Sequence, residues 1–222
     1  MNPRPPLAGC ETLMLDMDGT LLDLAYDNYM WLRYIPAAYA KRHGLDPEVA
    51  RERLYGHYRR LNGDLEWYCL DHWSERLDLD VVGLHRDERK RIGWLPGARE
   101  FLEMLVTNAD ARPRVLLVTN SHRDTLELKA EETGIDAYFD AVHSAHDFGF
   151  AKERQEFWEA LAGVEDFDPA TTLFIDDTER VLVSAARYGI GSLLCITRPD
   201  TQSAARQEGQ FAGIEGVRGL LG

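Results

Sequence analysis

The chain has 222 residues, 45% hydrophobic and 28% charged, a composition typical of a globular protein large enough for a core domain and an inserted unit. Its formal net charge of −13 disfavours a nucleic-acid polymer as partner, because the phosphates would be repelled. We find no membrane-length apolar stretch, no signal peptide, and neither disulfide nor zinc-site spacing among Cys10, Cys69 and Cys195, so we expect a cytoplasmic protein with reduced thiols and no membrane partner.

The first predicted element is a buried strand at residues 12–17, whose apolar run ends in acidic residues and a glycine. Residues 22–95 then show only helical spacing. The helical patterns lie at residues 26–43, 47–62 and 65–77, punctuated by Gly44, Gly63 and Asp78. We therefore predict a helical unit inserted at 22–95, with residues 94–97 as the return linker. The core would consist of residues 1–21 and 96–222.

Strands and helices alternate after the insertion, which predicts an α/β fold with a parallel sheet covered by helices on both faces. The predicted strands are residues 114–119 and 172–175, with weaker candidates at 138–143 and 192–196. The predicted helices are residues 97–109, 122–133, 153–162 and 179–188. Gly134 and Gly189 stand where a glycine commonly ends a helix.

Polar residues directly follow three of these strands, at 16–20 (DMDGT), 119–121 (TNS) and 176–177 (DD). The carboxyl ends of parallel strands share one edge of the sheet, so we expect these side chains to converge. Four carboxylates in one place repel one another unless a cation lies among them, and such oxygen ligands favour Mg²⁺. Lys152, at the start of a predicted helix, would add a positive charge against a phosphate group.

This ordered set of motifs resembles the haloacid dehalogenase-like hydrolase superfamily. Residues 16–20 match its first motif, DxDGT, while Thr119, Lys152 and the pair at 176–177 match its second, third and fourth motifs. The resemblance covers the whole chain. It implies a Rossmann-like core with a helical C1-type cap, supplied by the insertion at 22–95.

The resemblance also implies roles for the site residues. Asp16 would attack phosphorus and become an aspartyl-phosphate, and Asp18 would protonate the leaving oxygen and then activate water. Mg²⁺ would be held by Asp16, the backbone carbonyl of Asp18 and Asp177, with Asp176 binding directly or through water. The residues expected to bind or orient the phosphoryl group are Thr119, Asn120 and Lys152.

The insertion holds four of the five tryptophans and seven of the nine tyrosines, but none of the eight phenylalanines. Such rings suit a lid that stacks on a nucleobase, and they equally suit the interior of a small helical bundle. Residues 23–29, 67–77 and 148–153 resemble the bacterial GMP/IMP 5′-nucleotidases of the superfamily. This implies hydrolysis of purine nucleoside 5′-monophosphates. The cap residues considered for base recognition are Asp27, Asn28, Trp31, Trp67 and His72.

Other functions share the same motifs. The chain could hydrolyse a sugar phosphate or phosphoglycolate, act as a phosphomutase of the β-phosphoglucomutase type, or bind a phosphorylated ligand without turnover. A dehalogenase is disfavoured, because the family members that attack carbon generally lack the second aspartate. Two residues keep two interpretations: His122 lies near the leaving group or merely starts a helix, and Glu179 supports the metal or merely complements a helix dipole.

Overall fold

The computed structural model describes residues 7–61, 63–108, 112–207 and 209–221. Its strands are β1 (Thr12–Leu15), β2 (Arg114–Thr119), β3 (Ala141–Ser144), β4 (Thr172–Asp176), β5 (Ser192–Ile196) and β6 (Gly213–Ile214). They form one sheet in the order β3-β2-β1-β4-β5-β6, and every neighbouring pair is parallel. The predicted α/β fold with a parallel sheet is therefore confirmed.

Helices supply the rest of the architecture. They are α1 (Ala25–Tyr29), α2 (Ile35–His43), α3 (Pro47–Leu61), α4 (Leu65–Tyr68), α5 (Leu70–Leu77), α6 (Val81–Asp87), α7 (Ala98–Thr107), α8 (Arg123–Thr133), α9 (Gln155–Ala162) and α10 (Glu179–Tyr188). Helices α1 to α6 lie between β1 and β2 in the chain, and a π-helical turn at Met30–Tyr34 joins α1 to α2. Across the described ranges, no helix combines the length and apolarity needed to cross a bilayer.

The central strand β1 is buried on both faces of the sheet, which explains its unbroken apolar run. Leu13 and Leu15 pack in one cluster with Phe101 of α7. Met14 points to the opposite cluster, which contains Trp158 of α9. Helices therefore cover both faces and leave the ends of the strands as the accessible edge.

Several element boundaries differ from the sequence prediction. The strand predicted at 138–143 begins only at Ala141, because Ile135–Tyr138 forms a 3₁₀ turn after Gly134 adopts a left-handed conformation (φ 68°). The first strand ends at Leu15 rather than at residue 17. The helix predicted at 65–77 is interrupted at Cys69, whose backbone is extended (ψ 111°).

Two short elements were not predicted. Strand β6 has two residues, too few for an alternating pattern, and depends on pairing with β5. Helix α6 spans seven residues and begins after Asp80, whose side chain accepts a hydrogen bond from the backbone N–H of Gly83 (2.8 Å). The predicted helix ends at Asn62 and Ala109 lie outside the described residues.

The two segments that join the inserted helices to the sheet are hydrogen-bonded to each other. The backbone N–H of Asp23 donates to the carbonyl of Gly93 (2.9 Å), and that of Leu95 donates to the carbonyl of Leu21 (2.8 Å). This pairing places the base of the insertion directly after the first predicted motif. The insertion therefore stands beside the carboxyl ends of the strands.

A buried histidine in the insertion gives stability a predictable pH dependence. His85 Nδ1 lies 2.9 Å from the hydroxyl of Tyr26, and burial, aided by the charge of Lys129, lowers the pKa of His85 from 6.5 to about 3. Below pH 6.5 the unfolded chain binds a proton at this residue and the folded chain does not. His85 therefore stabilises the fold above pH 6.5, and this contribution is lost as the pH falls toward 3.

We expect the free energy of unfolding of the wild type, minus that of His85→Gln, to be constant above about pH 7 and to fall below it. The slope should not exceed about 1.4 kcal/mol per pH unit, the value for one proton. Urea unfolding of both proteins between pH 4.5 and 8 measures the difference. A difference that stays constant over this range would contradict the expected titration.

Candidate active site

The carboxyl ends of three neighbouring strands carry the predicted site. Asp16 follows β1, Thr119 ends β2 and Asp176 ends β4, and all three are buried. They line one cavity of about 340 Å³ between the sheet and the inserted helices. The predicted site residues that line this cavity are Asp16, Asp18, Thr119, Asn120, Lys152, Asp176 and Asp177.

A tight turn brings Asp16 and Asp18 to the same cavity. Gly19 has a φ of +85°, and a Cβ atom at this position would lie 2.8 Å from Cγ of Asp177. A side chain here would therefore be strained and would also collide with an acidic residue of the site. Thr20 donates its hydroxyl to Asp16 Oδ2 at 3.3 Å, which steadies that carboxylate from the same turn.

Lys152 lies at the centre of the cluster with its side chain almost fully buried. Its Nζ donates to Asp16 Oδ1 at 2.5 Å, to Asp176 Oδ2 at 2.8 Å and to the carbonyl of Val118 at 3.0 Å. These three bonds use all the donors of an ammonium group. The ammonium group is therefore fixed between the two carboxylates, next to the carboxyl end of β2.

Asn120 fixes the segment that carries this lysine. Its Oδ1 accepts a hydrogen bond from the backbone N–H of Lys152 at 2.9 Å, and its Nδ2 donates to Glu153 Oε2 at 3.0 Å. The other oxygen of Glu153 accepts from the hydroxyl of Tyr68 at 3.1 Å. Since Tyr68 belongs to α4, this chain of contacts connects the insertion to the Lys152 segment.

The acidic groups carry more negative charge than the nearby cations offset. Burial raises the pKa of Asp16 well above its ordinary value; Lys152 opposes this rise, and Asp176, Asp177 and Asp18 add to it. Burial and then Asp176 raise the pKa of Asp177 to about 6, against the opposing charge of Arg206. Burial alone would lower the pKa of Lys152, but Asp16 and Asp176 raise it, so the ammonium stays charged.

The donor set fits a hard divalent cation. One oxygen from each of Asp16, Asp176 and Asp177 lies within 4.8 Å of the others. Arg206 Nη1 donates to Asp177 Oδ2 at 3.1 Å, so an arginine already compensates part of this charge. Carboxylate oxygens in such a group are the ligands that Mg²⁺ prefers, and a dication would favour their ionised forms.

A second buried lysine, which the sequence analysis missed, holds Asp18. Lys129 of α8 is 1% exposed and donates to Asp18 Oδ1 at 2.6 Å. It also donates to both carboxylate oxygens of Asp27 at 2.9 Å. The other oxygen of Asp18 accepts from the hydroxyl of Ser121 at 2.6 Å. Both carboxylate oxygens of Asp18 therefore accept hydrogen bonds. Helix α1 of the insertion contacts the same lysine through Asp27.

Four aromatic residues of the insertion differ in how far they are buried. Trp73 and Tyr58 are buried in the interior of the helical unit. Trp31 and Trp67 are only partly buried, lie 5.7 Å apart between ring centroids, and both line the cavity. Trp31 and Trp67 also pack against Tyr58 and Trp73, with ring centroids 5.1 to 5.8 Å apart. Packing of the helical bundle therefore accounts for all four rings, and base stacking stays a prediction for the two that line the cavity.

Four further candidates from the sequence have definite positions. Asn28 lines the cavity and donates its side-chain amide to Asp200 Oδ2 at 2.7 Å. His122 also lines the cavity, whereas His72 is not among the described residues that do so. Glu179 is exposed, its Oε1 accepts from the backbone N–H of Gln210 at 3.1 Å, and it is not among the described residues that line the cavity.

Comparisons with known proteins agree with this geometry. A family model for haloacid dehalogenase-like hydrolases matches residues 10–189. The GMP/IMP nucleotidase YrfG of Escherichia coli K12 is 40% identical, over 95% of this chain and 94% of that protein. A HAD phosphatase from Thermococcus onnurineus superimposes with a TM-score of 0.74 at 21% identity, covering 96% of this chain and 98% of that one. For L-2-haloacid dehalogenase of Xanthobacter autotrophicus the TM-score is 0.60 at 17% identity, covering 87% and 80%.

Proposed function

Because this chain belongs to the haloacid dehalogenase-like hydrolase family, we propose that it is a Mg²⁺-dependent phosphatase acting on purine nucleoside 5′-monophosphates through a phosphorylated Asp16. The observation that carries the mechanism is the buried Lys152 ammonium, which is held between Asp16 and Asp176 and lines the same cavity as both. A nucleophilic carboxylate with a fixed cation beside it is suited to phosphoryl transfer. The 40% identity to a GMP/IMP nucleotidase supports the substrate class.

The first half-reaction transfers the phosphoryl group to the protein. A carboxylate oxygen of Asp16 bonds to phosphorus as the bond from phosphorus to the 5′ oxygen breaks. Asp18, entering this step protonated, gives its proton to that oxygen, and the nucleoside leaves. Lys152 offsets negative charge on the phosphoryl oxygens. Bound Mg²⁺ would be held by Asp16, the Asp18 carbonyl, Asp177 and Asp176, and would supply charge neutralisation for the phosphoryl oxygens.

The second half-reaction regenerates the protein. The Asp18 carboxylate takes a proton from a water molecule, whose oxygen bonds to phosphorus as the bond from phosphorus to Asp16 breaks. Inorganic phosphate leaves, and Asp18 is protonated again. Both steps require one stable orientation of Asp18. The contacts to Ser121 and Lys129 supply that orientation, so we assign Lys129 as a positioning residue.

The inserted helices would provide the site for the base. We propose that residues 22–95 act as a cap over the core formed by 1–21 and 96–222. Trp31 and Trp67 face the cavity, and stacking on such rings contributes about 1–3 kcal/mol per base. Thr119, which ends β2 and lines the same cavity, would bind a phosphoryl oxygen. The protein would act in the cytoplasm, on a small phosphate ester rather than on a nucleic-acid polymer.

A substrate panel tests this proposal. We expect phosphate release from GMP and IMP in the presence of Mg²⁺, its loss in EDTA, and its return when Mg²⁺ is added in excess. Faster release from sugar phosphates or phosphoglycolate than from GMP and IMP would contradict the proposed substrate. Isomerisation of a sugar phosphate without net phosphate release would identify a mutase. Release that is undiminished by EDTA would contradict the metal requirement.

A further inference from the structure

Three potential metal ligands meet outside the acidic cluster, at the boundary between the insertion and the core. Cys69 separates α4 from α5, His122 precedes α8, and His146 lies in the turn after β3. The Cys69 sulfur and one ring nitrogen of each histidine all lie within 4.8 Å of one another. The two imidazole rings are 4.9 Å apart and nearly perpendicular (81°). Spacing along the chain gave no sign of this group, since its members come from three separate segments.

Each histidine of this cluster has a buried ring nitrogen without a hydrogen bond. Among the described residues, Nε2 of His146 and Nδ1 of His122 make none, although Nδ1 of His122 lies 3.4 Å from Asp124 Oδ2. Buried polar atoms without partners are uncommon, and a bound metal ion is one partner that would satisfy them.

Two aspartate side chains lie close to the ring of His122. Asp124 Oδ2 lies 3.4 Å from Nδ1 of His122, and Asp71 Oδ2 lies 3.7 Å from its Nε2. A carboxylate on the ring nitrogen that does not bind the metal commonly orients a metal-binding histidine, and here one aspartate lies near each nitrogen. Asp71, His122 and Asp124 could themselves form a metal-binding group, but the side chain of Asp71 is 79% exposed. The group that contains the cysteine is the better enclosed of the two.

We propose that Cys69, His122 and His146 form a second metal site, specific for a thiolate-binding divalent ion such as Zn²⁺. One thiolate and two imidazoles are ligands that favour zinc over the magnesium expected at the carboxylates. The ion would join the α4–α5 junction of the insertion to two loops of the core. This site does not depend on the proposed function, because it shares no ligand with the acidic cluster.

Cobalt spectroscopy tests the site directly. The full-length reduced protein, saturated with Mg²⁺, is titrated with Co²⁺, which substitutes for zinc and gives a thiolate charge-transfer band. We expect one equivalent to produce this band and Zn²⁺ to abolish it. Loss of a direct ligand in Cys69→Ser or His146→Gln should weaken binding by more than about 100-fold, since even outer partners of metal ligands account for 10–100-fold. Cys10→Ser is the matched control and should bind as the wild type does.

Alkylation of the wild type gives a second readout that needs no variant to fold. Peptide mass spectrometry after brief treatment with iodoacetamide should show that Zn²⁺ protects Cys69 while Cys10 reacts at an unchanged rate. Both thiols are partly exposed without metal, so each reports on its own surroundings. A cobalt band that survives in Cys69→Ser, unchanged affinity in His146→Gln, or equal reactivity of Cys69 with and without Zn²⁺ would each overturn the proposal.

Discussion

Replacing Asp16 by asparagine is expected to lower phosphate release from GMP by about 10⁵-fold, a loss of the size seen when a covalent nucleophile is removed. The amide has the shape of the carboxylate and can still accept a hydrogen bond from Lys152, so the cavity should persist. What disappears is the anionic oxygen that bonds to phosphorus. Phosphate release measures the loss. Intact-mass analysis of the acid-quenched wild type should show one added phosphoryl group, located on Asp16 by peptide mapping, and the variant should show none.

Two controls make this result specific. Asp136→Asn makes the same chemical change at an exposed position and should leave turnover within about twofold of the wild type. Freshly prepared Asp16→Asn protein must be checked by mass for deamidation, because conversion of even a small fraction to aspartate would restore activity. Turnover by undeamidated Asp16→Asn at more than a few per cent of the wild-type rate would contradict Asp16 as the nucleophile. A phosphoryl group mapped to another residue would contradict it equally.

Much of the site could be predicted because it depends on local sequence. Asp16, Thr119 and Asp176 each end or directly follow a buried strand, and parallel strands bring such positions to one edge whatever the details of packing. Lys152 is predictable as well, because its position relative to these strands matches a motif. The same argument gave no information on Glu153 and Tyr68, whose contact depends on how the insertion rests on the core.

The sequence also contains a signal for the burial of Lys129. The chain has only four lysines, and Lys129 stands three residues after Leu126 and four after Thr125, on the buried face of α8. A lysine on the apolar face of a helix requires a buried partner. The identity of that partner could not be predicted, because Asp18 and Asp27 are more than 100 positions away along the chain.

Replacing Lys129 by methionine is expected to slow phosphorylation of the protein by GMP about 10²-fold, within the range that general acid–base catalysis contributes. Methionine keeps the length of the side chain but removes the cation that holds Asp18. A 5′ alkoxide is a poor leaving group that needs the proton of Asp18, whereas p-nitrophenolate leaves without one. In single-turnover quench experiments, phosphorylation by p-nitrophenyl phosphate should therefore slow by less than about fivefold.

A larger slowing with GMP than with p-nitrophenyl phosphate distinguishes the loss of Asp18 positioning from a general loss of structure, which would slow both substrates. Burial raises the pKa of Asp27 to about 6, while Lys129 opposes the rise and Asp18 adds to it. Removing the lysine leaves the Asp18 and Asp27 carboxylates without the cation that they share. This costs about 3–5 kcal/mol of stability, and folding of the variant must be verified by circular dichroism.

Asp27→Asn, which retains the contact from Lys129 to Asp18, provides a milder variant and should show a smaller loss with the same preference for p-nitrophenyl phosphate. Lys90→Met, at a lysine whose side chain is 79% exposed, is the matched control. If Lys129→Met folds and slows both substrates equally, or slows neither, Lys129 does not position Asp18 for protonation of the leaving group.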